Sequence, residues 1–137
     1  MESKTFEANH DLAIIVNSRK SAVILELATK ESEEAYGFNF YFTKELFNDF
    51  VAYIKRVSLL AWPSIVPREA DSMGSDYYEY YDRELDNNGY LRILTNGLYI
   101  ERPDNDYQRL YKFNKKKMES FLYDLEKEAE KPIPLGG

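Results

Sequence analysis

The sequence predicts an α+β protein of two similar halves, each a run of strands closed by one helix, with antiparallel sheet packed against two amphipathic helices. Three observations predict it. Two apolar stripes recur at helical spacing, each behind a capping residue. Hairpin signals precede each stripe. The two strand-to-helix segments superpose at an offset of 71 residues, as expected of a repeated supersecondary unit.

The first half, residues 1–61, opens with a short leading strand near Lys4–Ala8. Leu12–Val16 and Ala22–Leu27 flank the polar turn Asn17-Ser18-Arg19-Lys20, which reads as a hairpin. Phe38, Phe40 and Phe42 alternate with Asn39 and Tyr41, the period of a half-buried strand. Thr43 then precedes Leu46, Phe47, Phe50, Val51, Ile54 and Val57. That spacing draws one stripe on a helix expected over Lys44–Leu59, with Thr43 as N-cap and Pro63 beyond its end.

The second half, residues 76–131, repeats the plan. A leading strand is expected at Tyr77–Leu85, turned by Asp86-Asn87-Asn88-Gly89. Tyr90–Leu94 and Leu98–Glu101 flank Thr95-Asn96-Gly97, whose Asn-Gly pair suits the positive-φ positions of a type I′ turn. Tyr107–Phe113 is the strand before Asn114, the second N-cap. Met118, Phe121, Leu122, Leu125 and Ala129 form the second stripe, ending near Glu130. At the 71-residue offset, Phe42 matches Phe113, Thr43 matches Asn114, Phe50 matches Phe121 and Ile54 matches Leu125. One domain over 1–131 is expected, with a connector at 62–88 and a frayed tail at 132–137.

Composition narrows the class. With 44% hydrophobic residues the chain is not of the disordered type. The absence of cysteine excludes disulfides, cysteine-ligated zinc and thiol catalysis. The polar start MESKTFEANHD has no apolar signal core, and no apolar run approaches the ~18 residues of a membrane span. A soluble cytoplasmic protein, monomeric or homodimeric, is expected.

Charge is distributed unevenly. The formal net charge is −6. Residues 1–68 carry 8 basic and 9 acidic side chains, and residues 88–137 carry 9 and 8. Residues 69–87 hold seven acidic side chains against one basic, Arg83. The entire excess therefore lies between the halves.

No catalytic residues, cofactor or metal site are expected. His10 is the sole histidine and has no nucleophile setting beside it. Phosphate-loop, nucleophile-elbow and zinc-protease signatures are absent. Asp86-Asn87-Asn88-Gly89 would need Arg92 and Thr95 at ligand positions of a calcium loop, so a turn is the better reading. Lys115-Lys116-Lys117 opposes the macrodipole at a helix start, which is a mild hint of phosphate contact, but exposed solubilising lysines are the better reading.

The candidate binding residues lie in the acidic segment: Asp76, Tyr77, Tyr78, Glu79, Tyr80, Tyr81, Asp82 and Glu84, with Trp62 as an anchor. Tyr offers contact area with a polar tip at low entropic cost. Interleaved carboxylates attract a basic partner through their field. The expectation is a non-enzymatic binding protein for a basic or nucleic-acid-binding protein, of inhibitor or DNA-mimic type, as small acidic proteins of phages and mobile elements are by analogy. An edge strand whose acids block sheet association explains the same residues structurally.

A second expectation comes from resemblance. Phe40-Tyr41-Phe42-Thr43 and Tyr111-Lys112-Phe113-Asn114 each lead a strand into a helix, and this doubled topology is similar to that of PUR-repeat, Whirly and PC4-like proteins. The resemblance implies single-stranded nucleic-acid binding, with sheet aromatics stacking bases and Arg92, Arg102, Arg109 and Lys112 near phosphates. The acidic connector opposes it, because nucleic-acid affinity comes mainly from cations.

Overall fold

The computed structural model describes residues 2–9, 11–28, 35–70, 76–104 and 108–131. The expected tail, His10, Tyr107 and Asp71–Ser75 lie outside the described residues. The elements in order are β1 (Glu2–Glu7), β2 (Ala13–Arg19), β3 (Ala22–Leu27), β4 (Gly37–Tyr41) and α1 (Lys44–Ala61), then β5 (Glu79–Asp82), β6 (Asn87–Leu94), β7 (Gly97–Glu101), β8 (Arg109–Phe113) and α2 (Lys115–Glu130). Each half is thus four strands and a helix, the α+β arrangement read from the sequence.

Both caps form. Thr43 Oγ1 accepts the Leu46 amide at 3.1 Å, and Asn114 Oδ1 accepts the Lys117 amide at 2.8 Å. Both helices bury the expected stripes: Phe47, Phe50, Val51, Ile54 and Val57 on α1, Met118, Phe121, Leu122 and Leu125 on α2. Helix α1 runs to Ala61, and its last turn carries Ser58 and Ala61 into the core.

The antiparallel strands are arranged in sheets of four. There are two, in the orders β1-β2-β3-β8 and β4-β7-β6-β5, with every pairing antiparallel. Each half gives its fourth strand to the other half's sheet: β8 pairs with β3, and β4 pairs with β7. Local patterning cannot reveal this exchange. A strand's period shows which residues face inward but not which neighbour supplies its hydrogen bonds.

The halves match in their packing. In the first, Phe50 meets Phe6 edge-on at 5.3 Å and stacks with Phe42 at 5.4 Å between ring centroids. In the second, Phe121 meets Tyr77 edge-on at 5.2 Å and Phe113 at 4.8 Å. The helices lie against each other antiparallel. Lys44 Nζ at the start of α1 donates to Ala129 O near the end of α2, at 2.8 Å. Lys115 Nζ at the start of α2 donates to Ser64 Oγ just past the end of α1, at 2.9 Å. No helix among the described residues is long and apolar enough to cross a membrane.

Three turns differ from expectation. The hairpin loops are Lys20-Ser21 and Thr95-Asn96, with positive φ only at Ser21 (62°) and Asn96 (54°) among these four. Gly97 is not a turn residue but the first of β7, where a Cβ would lie 2.2 Å from Phe40 O. Likewise Asn87, Asn88 and Gly89 belong to β6, and Asp86 (φ 49°) ends the turn before it. Gly89 stands opposite Tyr80, whose ring fills the space a side chain would take.

Candidate binding face and the cleft beside it

Strand β5 is the edge of the second sheet, and its period of two divides the acidic segment. Tyr80 and Asp82 point inward; Glu79 and Tyr81 point outward. Tyr77 is also buried, its hydroxyl donating to Asp124 at 2.6 Å. The Tyr80 hydroxyl donates to Leu110 O at 3.3 Å, and the ring packs 4.4 Å from Tyr111. Burial raises the pKa of both Tyr80 and Tyr111, and neighbouring acidic groups add to it. Trp62 is in the core. Four of the nine candidates, Trp62, Tyr77, Tyr80 and Asp82, therefore present no side chain to a partner, because folding has used them. Tyr78, Glu79, Tyr81 and Glu84 are exposed, and Asp76 is half-buried.

Asp82 holds the following turn. Its Oδ1 accepts the amides of Glu84 and Leu85 at 3.0 and 3.1 Å. Its Oδ2 pairs with Arg109 of β8 at 2.8 Å, joining the edges of the two sheets. The Arg109 guanidinium also reaches Glu84 at 3.3 Å. Burial disfavours the Arg109 cation, but Asp82 and Glu84 more than offset this and hold its pKa above the ordinary value.

The outer face of the second sheet is the more coherent surface. Register places Asn39, Tyr99 and Arg92 in one row across β4, β7 and β6. The next row holds Glu101, Tyr90 and Glu79, with Tyr81 beyond it on β5, and Tyr41 neighbours Gly97 on the other side. The Arg92 guanidinium lies 5.7 Å from the Tyr99 ring centre, a cation–π contact. Among the described residues, every exposed aromatic side chain (Tyr36, Tyr41, Tyr78, Tyr81 and Tyr90) belongs to this sheet or directly adjoins one of its strands. The first sheet has none. Only alternation within each strand hinted at this; the rows exist because register sets four strands side by side.

The cations expected near phosphates are dispersed. Arg102 is buried, with its guanidinium 5.1 Å from the Phe38 ring centre and Nε donating to Ala35 O at 3.0 Å. Lys117 Nζ donates to Asp76 O and Glu79 O at 3.0 and 2.6 Å, tying α2 to the connector. Burial lowers the Lys117 pKa, with Asp76 and Glu79 opposing. Lys115 and Lys117 are thus used structurally rather than as free surface lysines. Among the described residues, no group of three His, Cys, Asp or Glu side chains is placed to hold a metal ion.

Between β5 and β8 the surface opens into a cleft of about 410 Å³. Its walls include Ser21, Tyr81, Arg83, Arg109, Lys112 and Lys117. Comparison of the chain with protein-family models, with curated proteins and with solved structures finds no match.

Proposed function

We propose that this protein is a non-enzymatic binding module that engages a basic protein partner through the outer face of its second sheet and the adjoining acidic edge. The observation that carries the reading is the gathering of every exposed aromatic among the described residues at one sheet. Tyrosines on rigid strands give a partner large contact area with little ordering entropy, and they are enriched at interfaces for that reason. The charge favours a basic partner. Glu79 and Glu101 stand on the face, with Asp86 beside it accepting from the Tyr81 hydroxyl, against Arg92 as its cation. Tyr78, Glu79, Tyr81 and Glu84 extend this surface along the edge.

Single-stranded nucleic acid is the second reading, favoured by the same tyrosines, since open sheets carrying aromatics stack bases. The scarcity of cations on the face weighs against it, because phosphate neutralisation dominates such affinity. One pair of measurements separates the two. A Tyr41→Ser, Tyr90→Ser variant should fold normally and lose binding to a purified basic partner, with Glu79→Gln weakening that binding in a salt-dependent manner. Tight binding of labelled single-stranded DNA by the parent protein, falling steeply with salt and lost in the tyrosine variant, would replace the first reading with the second.

A further inference from the structure

The cleft between β5 and β8 has the opposite character to the rest of the chain. The protein is acidic, yet the cleft walls carry Arg83, Arg109, Lys112 and Lys117 against Asp82 and Glu84. Arg83 is the single basic residue of the acidic stretch 69–87, and the fold brings it here. The side chains of Arg83 and Lys112 make no ion pair or hydrogen bond with the described residues. Arg109 is committed to Asp82 and Glu84 through its terminal nitrogen.

The first half is built differently at the matching place. At the 71-residue offset Lys112 corresponds to Tyr41. There the edge of β4 is bridged to the end of β1, since the Tyr41 amide donates to Asn9 Oδ1 at 2.8 Å. At the equivalent junction of the second half, β5 and β8 are bridged by Asp82 and Arg109 and also flank a cavity. Its volume lies in the range of small-molecule sites. Tyr81, 55% exposed, gives one wall an aromatic ring, and Ser21 adds a hydroxyl.

We propose that this cleft binds a small phosphate monoester carrying a planar group, a nucleoside monophosphate in size and chemistry. Arg83 and Lys112 hold the phosphate with the Ser21 hydroxyl, and the planar group lies against Tyr81. Arginine and lysine together give phosphate both charge and directed donors. The site is independent of the partner-binding face in all but Tyr81.

The test is a titration of the parent protein with AMP, inorganic phosphate and adenosine, followed by amide chemical shifts. AMP should shift Ser21, Lys112 and Asn114 saturably and bind more tightly than either fragment. An Arg83→Gln, Lys112→Gln variant changes only exposed side chains and should keep its fold while losing AMP affinity about tenfold or more, the scale of one or two charge-assisted bonds. Tyr81→Leu should remove the advantage of AMP over phosphate and leave phosphate binding unchanged. Absence of saturable shifts in the parent, or undiminished affinity in the double variant, would overturn the site. Partner binding through the sheet face is read separately in the Tyr41→Ser, Tyr90→Ser variant, so either proposal can fail alone.

Discussion

At the scale of residues, Asp82 shows how a candidate contact becomes a structural one. It accepts two turn amides and pairs with a half-buried Arg109, all from an almost fully buried position. Asp82→Ala leaves both amides and the guanidinium without their partner and should destabilise the fold by about 3 kcal/mol. Asp82→Asn, which keeps the amide acceptor, should lose less. Urea midpoints of the two variants check the order, and equal losses would show that the turn bonds contribute nothing. The buried phenols make a second prediction. The pKa values of Tyr80 and Tyr111 are raised above the ordinary 10.0, so the folded chain retains protons that the unfolded chain releases. Their contribution is complete below that pH and is lost progressively above it. Stability should therefore decline as pH rises past 10.0, and Tyr80→Phe should shallow the decline. Tyrosinate absorbance followed beside circular dichroism checks this; ionisation of all tyrosines while the fold persists would contradict it.

At the scale of elements, much was legible. The stripes and caps of both helices are short-range features, and short-range spacing is what a sequence displays directly. Thr43→Ala and Asn114→Ala should each lower stability by about 1 kcal/mol, the usual cost of an N-cap, measurable by thermal or urea unfolding. A loss at one position only would show that the two helix entries are not equivalent. The glycines were less legible. Asn-Gly and Asn-Asn-Gly both read as turns, yet Gly97 and Gly89 lie in strands. Each is there because another chain segment occupies its Cβ space: Phe40 O against Gly97, the Tyr80 ring against Gly89. Gly97→Ala should be the more damaging substitution, since a backbone carbonyl cannot rotate away as a side chain can. Similar urea midpoints for Gly97→Ala and Gly89→Ala would refute that distinction.

At the scale of the whole molecule, the exchange of β4 and β8 makes the halves interdependent. A fragment of residues 1–70 keeps β1, β2 and β3 but loses β8, while its own β4 has no sheet to join. It should remain unfolded alone, and mixing with a fragment of residues 71–137 should restore β-sheet circular dichroism. A cooperative unfolding transition in the first fragment alone would show that the exchange is dispensable. The same exchange builds both candidate sites. It adds β4, with Tyr41, to the tyrosine face, and it carries Arg109 and Lys112 on β8 to the edge of β5.

The sequence by itself determined the α+β class, the two-half plan, both helix caps and the apolar faces, because each follows from spacing within a few residues. It also located the acidic, tyrosine-rich segment. Tertiary structure alone decided which of those tyrosines face outward, that the fourth strands change places, and that cations far apart in the chain share one cleft. Strand alternation fixes two faces but not which one is buried, and the choice follows from partners such as Gly89 and Arg109 that only the folded chain brings alongside.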